Sequence, residues 1–278
     1  MSSATPDWLG VARGAAAELR AVLASRPSIE QRARETGTRG EGGDRTLEID
    51  AAAEQAVFRR LEALHAEGHA FSAISEERGR VDFGGGGTLV VIDPLDGSKN
   101  AKRGLPHHAL SMAVADGPTM ADVVLGFVHD FGPAEEWVAH RGGGAFLDGE
   151  RLDPSVPERR TRGRLELVGV ESADPRWIRD VADELAERAH RLRALGAMAV
   201  TLCQVAAARL DGLTTLQRCR AVDVAAAQLI VREGGGLVAF PGAPSPLGAP
   251  LDVMEPVYGL VAARSPEGLA ELAAIPRV

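Results

Sequence analysis

Several residue types are scarce in this chain of 278 residues, and each scarcity limits what the protein can be. Aromatic residues make up only 4 % of it, so the core must be built mainly from Ala, Val, Leu and Ile. No apolar run approaches the ~18 residues that a membrane-spanning helix needs. The first nine residues lack the basic and apolar segments of a signal peptide. We therefore expect a cytoplasmic protein with no membrane partner.

Cysteine and positive charge are also sparse. Cys203 and Cys219 form no Cys-x-x-Cys pair, and neither has a histidine at zinc-ligand spacing, so we interpret both as small buried residues. The formal net charge is −8 and no basic block is present. Because nucleic-acid binding normally needs a clustered positive face, we expect no nucleic-acid partner.

Apolar residues account for 45 % of the chain, which is enough for a sizeable core, and their spacing predicts the first elements. Helical periodicity predicts one helix over residues 7–25 and a second with Thr46 as its N-cap. We interpret Glu54 on the second helix as an ordinary surface charge without a further role. The glycine-rich, charged stretch 35–45 between the two helices predicts a mobile loop.

Strand patterns follow in the middle of the chain. The β-branched run 88–92 predicts a buried strand that ends directly at Asp93. Three further runs separated by turn residues predict an antiparallel meander: 109–115, 122–129 and 135–140.

A polar stretch without periodicity, between Leu147 and Arg164, predicts the domain boundary. We assign residues 1–155 to an N-terminal α+β domain and residues 156–278 to a C-terminal α/β domain. The second half alternates between strand and helix patterns, which predicts a mixed or largely parallel sheet with helices on its faces. The elements predicted there are strand 165–170, a helix opened by Asp174-Pro175, helix 197–210, strand 212–216, helix 223–233, and strands 236–240 and 257–263.

The segment Asp93-Pro94-Leu95-Asp96-Gly97-Ser98 concentrates groups that suit a cation and a phosphate. Two aspartates three residues apart across a proline turn can point the same way, and their like charges repel. A divalent cation removes that repulsion, and magnesium prefers oxygen ligands. Gly97 permits close approach of a substrate oxygen to the backbone, and Ser98 offers a hydroxyl and an amide. An isolated pattern of this kind is usually a surface turn, but the apolar strand before it and Glu76-Glu77 nearby argue against that reading.

These residues resemble the inositol monophosphatase family, and above all its prokaryotic members active on inositol phosphate and fructose bisphosphate. The first signature matches Asp93 to Asn100, followed by Gly104-Leu105-Pro106, and the second matches Val222 to Ala226. Further matches appear in the family's order at Glu76-Glu77, Gly142 to Phe146, Asp148-Gly149, Gly196 to Ala199, Cys203 and Asp211. Together they cover roughly residues 40 to 265.

The resemblance implies a layered αβαβα sandwich, a homodimer, and two or three magnesium ions per site, with some sensitivity to lithium. It implies metal ligation by Glu76, Asp93, the Leu95 carbonyl, Asp96 and Asp223. It also implies a phosphate held by the amides of Gly97 and Ser98. The Ser98 hydroxyl, supported by Asp50, would orient the attacking water beside Glu76. The implied reaction is hydrolysis of a phosphate monoester on a small polyol or sugar by metal-activated water.

The match departs from the family near the second signature, which leaves the substrate open. Inositol-selective members carry a glutamate several residues before the aspartate of that signature, whereas this chain has Leu216-Gln217-Arg218 there. Gln217 and Arg220 are therefore candidates to face a sugar or a second phosphate. The alternatives are a phosphatase of adenosine 3′,5′-bisphosphate, a sugar phosphatase of a specialised pathway, and a non-catalytic regulatory interaction protein.

Overall fold

The computed structural model describes residues 6–39 and 45–277. The helices are α1 (Trp8–Ala24), α2 (Ile29–Arg32), α3 (Glu48–Ala66), α4 (Ser98–Arg103), α5 (Pro175–Asp180), α6 (Ala182–Arg188), α7 (Met198–Ala206), α8 (Ala221–Glu233) and α9 (Pro266–Ala273). The strands are β1 (Glu35–Arg39), β2 (Arg45–Leu47), β3 (Phe71–Ser75), β4 (Gly79–Asp96), β5 (Ala109–Ala115), β6 (Val123–Asp130), β7 (Glu135–His140), β8 (Gly144–Leu147), β9 (Glu150–Arg151), β10 (Arg160–Thr161), β11 (Arg164–Glu171), β12 (Ala189–Arg193), β13 (Gly212–Thr215), β14 (Leu237–Ala239) and β15 (Val261–Ala263).

The first large sheet carries strands β3 to β9 in chain order. Strand β3 pairs parallel with β4, and each successive pair from β4–β5 to β8–β9 is antiparallel, which confirms the predicted meander. Strand β4 is longer than the predicted 88–92 and extends to Asp96. Asp93 and Asp96 therefore lie within β4 itself, where Asp93 pairs with Ser111 of β5 and Asp96 pairs with Ala109.

Both faces of this sheet are covered, which explains the uninterrupted apolar run before Asp93. Val90 and Ile92 pack in the core beneath α1 and α3, whereas Leu89 and Val91 pack in the core that contains α7 and α8. Successive side chains of a strand point to opposite faces. A strand buried on both faces consequently reads as continuously hydrophobic rather than alternating.

Helix α8 approaches the sheet closely because both surfaces carry small residues. A Cβ atom added at Gly126 of β6 would lie 2.4 Å from the carbonyl oxygen of Ala226. Ala225, Ala226 and Ala227 are all buried on this helix. Small side chains let backbones pack at short range, so the alanine richness of α8 sets its distance from β6 and thereby positions Asp223.

The second sheet has the order β10-β11-β13-β15-β14, with β12 also paired to β11. Strand β11 pairs parallel with β12 and β13, whereas β13 and β14 pair antiparallel with β15. The predicted mixed sheet is thereby confirmed. Helices α7 and α8 lie between the two sheets, and Leu185 of α6 and Leu272 of α9 pack on the outer face. The layers follow the predicted order αβαβα.

Two local predictions fail near the N-terminus. The loop predicted over residues 35–45 contains strand β1, which pairs antiparallel with β2, while residues 40–44 lie outside the described part of the chain. Thr46 lies on β2 and α3 begins at Glu48, so Thr46 is not the N-cap. Strand pairing with β1 extends the non-helical backbone past Thr46, and such long-range pairing leaves no local signal.

The boundary between the halves falls where the sheets change, between β9 and β10. A common core nevertheless joins them, since Val91 of β4 and Val224 of α8 belong to one apolar cluster. The division into two domains stays a prediction. No helix within residues 6–39 and 45–277 has both the length and the apolar character needed to cross a membrane.

Candidate active site

Asp93 and Asp96 are buried at the end of β4 and are held by backbone N–H groups. Asp93 is 2 % exposed, and its Oδ1 accepts a hydrogen bond of 2.9 Å from the N–H of Leu95. The two oxygens of Asp96 accept from Met198 and Ala199, at 3.1 Å and 2.8 Å. These donors are the free N–H groups of the first turn of α7, where a carboxylate is favoured. Asp96 therefore fastens a helix of the second half to the first.

Gly97 makes the turn after Asp96 possible. Its φ is +78°, and a Cβ there would lie 2.8 Å from the His107 carbonyl oxygen and 2.9 Å from the Cβ of Ala197. Only glycine combines this backbone conformation with such close neighbours. The next residue, Ser98, is half-buried and begins α4. The turn thus brings Ser98 next to the two aspartates.

Glu76 follows β3 directly and is supported by a buried carboxyl group of α3. The Ser75 hydroxyl donates to Oε1 of Glu54, whose side chain is almost fully buried. Glu54 Oε2 is buried without a hydrogen-bond partner among the described residues. The interpretation of Glu54 as surface charge is therefore wrong. A signal was present, because Glu54 lies four residues before Phe58 on the buried stripe of the helix.

Asp223 lies in the first turn of α8, whose N-cap residue is Arg220. The predicted helix 223–233 began at Asp223. The observed helix begins at Ala221, so Asp223 is its third residue. The Asp223 carboxylate accepts from the backbone N–H of Arg220 at 3.1 Å and from its Nε and Nη2 at 3.3 Å and 2.9 Å. Nη1 of Arg220 donates to Oε1 of Glu76 at 2.5 Å. Arg220 thus joins two predicted metal ligands that are 147 residues apart in sequence.

The buried carboxyl groups share an electrostatic cost. Burial raises the pKa of Asp93 well above its usual range, and the charges of Glu76, Asp96 and Asp223 raise it further. Burial raises the pKa of Asp96 to about 8, with Asp223 adding to the rise. Burial also raises the pKa of Glu76. Four carboxylates in one buried place favour the uptake of protons or of cations. We call Glu76, Asp93, Asp96 and Asp223 the acidic cluster.

The remaining predicted site residues are placed by the elements that carry them. Leu95 is buried between the two aspartates of β4. Asp50 is half-buried in the first turn of α3, four residues before Glu54. Gln217 follows β13, on the chain that leads to Arg220 and α8. Asp50 and Gln217 stay predicted site residues, whereas the contacts of Arg220, Met198 and Ala199 involve the acidic cluster directly.

The donor chemistry of the acidic cluster fits magnesium. All four side chains offer carboxylate oxygens, which hard divalent cations prefer, and the cluster contains no histidine or cysteine. Across residues 6–39 and 45–277, no three such side chains are arranged to hold one metal ion as they stand. The guanidinium of Arg220 lies between Glu76 and Asp223. The chemical match is therefore in the ligand types, and Arg220 contacts two of the four predicted ligands.

Comparison with known proteins agrees with this arrangement. The family model described as the inositol monophosphatase family matches residues 6–275. A fructose-1,6-bisphosphatase/inositol-1-monophosphatase of Thermococcus kodakarensis is 35 % identical over 84 % of this chain and 83 % of its own. The Nus factor SuhB of Haemophilus influenzae is 32 % identical over 70 % of this chain and 71 % of its own.

Solved structures agree on the fold. One described as an inositol monophosphatase–fructose 1,6-bisphosphatase superposes with a TM-score of 0.79 and 23 % identity. It covers 97 % of this chain and all of its own. Members of the family are generally metal-dependent. Since the family model spans nearly the whole sequence and the relative from Thermococcus exceeds 30 % identity over most of both chains, the protein belongs to the inositol monophosphatase family.

Proposed function

We propose that this phosphatase hydrolyses a phosphate monoester on a small sugar or polyol, with fructose 1,6-bisphosphate and inositol monophosphate as the first substrates to test. The observation that carries the proposal is the acidic cluster, in which Asp93 and Asp96 of one half meet Asp223 of the other beside the Gly97 turn. A fold does not need four carboxylates clustered at this point, three of them buried, because burying like charges is unfavourable. Binding of a divalent cation would offset the repulsion between these carboxylates and explains why they are clustered.

The proposed cofactor is magnesium, held by Glu76, Asp93, Asp96, Asp223 and the carbonyl group of Leu95. When bound, the cation offsets the negative charge of the phosphate and lowers the pKa of water. The protein supplies the geometry, since Asp93 is fixed by Leu95 and Asp96 by the first turn of α7. Fixed ligands require little reorganisation during the reaction.

The residues after Asp96 are proposed to receive the phosphate. The amides of Gly97 and Ser98 are the donors, and the left-handed backbone of Gly97 sets the direction of the turn that carries them. The Ser98 hydroxyl, with Asp50 and Glu76, is proposed to orient the attacking water toward phosphorus. Glu54 supports this arrangement through its hydrogen bond with Ser75, the residue before Glu76.

Substrate choice is proposed to depend on the segment between β13 and α8. This segment reads Leu216-Gln217-Arg218 in the neighbourhood where inositol-selective members carry a glutamate, and Arg218 is exposed. A cationic, amide-bearing edge suits a sugar with a second anionic group better than an uncharged ring. The proposal therefore favours sugar bisphosphates over inositol monophosphate.

The test is phosphate release from a substrate panel, with and without magnesium. The panel holds fructose 1,6-bisphosphate, inositol 1-phosphate, several sugar monophosphates and adenosine 3′,5′-bisphosphate. We expect magnesium-dependent turnover that Asp93→Asn reduces by at least ~10³-fold, because the variant loses a ligand charge. The matched control is Asp153→Asn, an exposed aspartate, which is expected to retain full activity. Turnover that is equal without magnesium would refute the mechanism.

A non-catalytic interaction role is the second candidate, and the similarity to a Nus factor favours keeping it. The two roles differ in their need for Asp93. If Asp93→Asn folds, loses phosphatase activity and still supports the biological role, the interaction reading holds. Homodimer formation and a cytoplasmic location are further proposals carried by the family, and light scattering of the purified protein tests the first.

A further inference from the structure

Arg220 has an unusual position for a basic residue, since it lies inside a site that is proposed to bind cations. Its guanidinium makes a two-point contact with Asp223, at 3.3 Å through Nε and 2.9 Å through Nη2, and a third contact of 2.5 Å with Glu76 through Nη1. The side chains are largely withdrawn from solvent, with 18 % of Arg220, 20 % of Glu76 and 12 % of Asp223 exposed. Planar, bidentate contacts of this kind are the strong form of ion pair.

The two carboxylates come from opposite halves of the protein. Glu76 follows β3 of the first sheet, whereas Asp223 belongs to α8, and Arg220 is the link between them. The charge of Arg220 also lowers the pKa of Glu76 and of Asp93, against the burial that raises both. Arg220 thus partly offsets the negative charge of the acidic cluster.

A divalent cation and this guanidinium compete for the same two carboxylates, since Arg220 donates to Oε1 of Glu76 and to both oxygens of Asp223. Magnesium sits about 2.1 Å from its ligand oxygens, a distance that leaves no room for an N–H group donating to the same lone pair. Their positive charges also repel strongly at such a short separation. The contacts that Arg220 makes therefore oppose ligation of a cation by Glu76 and Asp223 together.

We propose that Arg220 is a built-in counter-cation that competes with the divalent cation for Glu76 and Asp223 and is displaced toward solvent when the ion binds. The proposal rests on the magnesium dependence of the proposed function and extends it to ion loading. Arg220 lowers the affinity for the ion, and it also holds the two halves together whenever the ion has left. The partial exposure of its side chain supplies a route outward, and its backbone N–H stays on Asp223 as the helix cap.

The test is a calorimetric titration of magnesium into chelator-treated protein, with Arg220→Gln compared with the wild type. Glutamine lacks the positive charge and the bidentate guanidinium, so we expect Arg220→Gln to bind magnesium at least tenfold more tightly than the wild type, a difference of about 1.4 kcal/mol. Arg218→Gln is the matched control, because it removes the same charge two residues earlier from an exposed side chain. We expect it to change the affinity less than twofold.

Thermal unfolding supplies a readout that does not depend on activity. Without magnesium, Arg220→Gln is expected to unfold at a lower temperature than the wild type, since the acidic cluster then lacks its counter-charge. With saturating magnesium the midpoint is expected to rise by more in the variant than in the wild type. Arg220→Lys keeps the positive charge but loses the bidentate guanidinium, so its magnesium affinity should lie between those of the wild type and Arg220→Gln. This variant tests the proposal if Arg220→Gln does not fold without magnesium.

The outcomes separate the two proposals. If Arg220→Gln and Arg220→Lys bind magnesium no more tightly than the wild type, Arg220 does not compete with the ion and this proposal is wrong. The proposed function still holds in that case if the wild type is an active phosphatase. Absence of magnesium binding to every variant, the wild type included, overturns both.

Discussion

Two regions of this protein bury carboxylates, and they neutralise them in different ways. Asp211 precedes β13 in the second half and is completely buried, yet its oxygens accept from the backbone N–H groups of Arg159 and Leu167, at 2.8 Å and 2.9 Å. Its Oδ1 also lies 3.3 Å from Nε of the partly exposed Arg159 side chain. The acidic cluster has fewer backbone donors per carboxylate. Among the described residues, Asp93 accepts from Leu95, Asp96 from Met198 and Ala199, and Asp223 from Arg220, while Glu76 accepts from the Arg220 guanidinium. Fixed backbone donors satisfy a structural carboxylate, whereas a cluster that remains short of donors calls for a cation that can exchange.

The largest effect on stability is expected from a substitution of Asp211. In Asp211→Ala the buried N–H groups of Arg159 and Leu167 lose their acceptor, and each unsatisfied group costs about 1–3 kcal/mol, so we expect a loss of about 4 kcal/mol in the free energy of unfolding. Urea unfolding measures this loss, and Asp211→Asn, which keeps one acceptor oxygen, should lose about half as much. Activity per folded molecule should not change. A variant that is stable but inactive would show that Asp211 belongs with the acidic cluster.

Glu54 stands between the two regions, because it is buried, hydrogen-bonded by Ser75 and still short of a partner. Burial raises its pKa to about 7 from an ordinary value of 4.5. The folded protein therefore holds this proton more tightly than the unfolded chain, and the stability it contributes is present below pH 4.5 and is lost as the pH rises through 7. The loss amounts to about 3 kcal/mol.

Glu54→Gln cannot ionise and should remove this dependence. The difference in the free energy of unfolding between Glu54→Gln and the wild type is expected to be smallest near pH 4.5 and largest above pH 7, in favour of the variant. Urea unfolding at a series of pH values measures the difference, in which titrations common to both proteins cancel. Two parallel profiles would mean that folding does not raise the pKa of Glu54.

The smallest expected effect concerns Asp93 and the response of stability to magnesium. Asp93→Asn removes one of four crowded charges, so in chelator we expect a gain of about 1–2 kcal/mol in the free energy of unfolding. Added magnesium should then raise the unfolding midpoint of the wild type and raise that of the variant much less. Differential scanning calorimetry with and without the ion measures both. Equal magnesium responses would remove Asp93 from the ligand set.

Much of the architecture was predictable from short-range patterns. The meander of β5, β6 and β7, the helix capped by Asp174 and the mixed second sheet follow from periodicity and turn residues. The burial of Glu54 was missed because a charged residue is usually exposed, and only its position beside Phe58 argued otherwise. Strand β1 was missed because its pairing with β2 joins segments whose composition is typical of a loop.

The chemistry of the segment Asp93 to Ser98 and the strand that precedes it follow from the amino-acid sequence, because the spacing of two aspartates, a proline and a glycine is a local property. The tertiary structure alone decided that Asp96 would hold the first turn of α7 and that Arg220 would face Glu76. These contacts join residues more than a hundred positions apart. Which charges meet there depends on how closely α8 packs on the sheet, and that distance is set by the fit of Gly126 against Ala226.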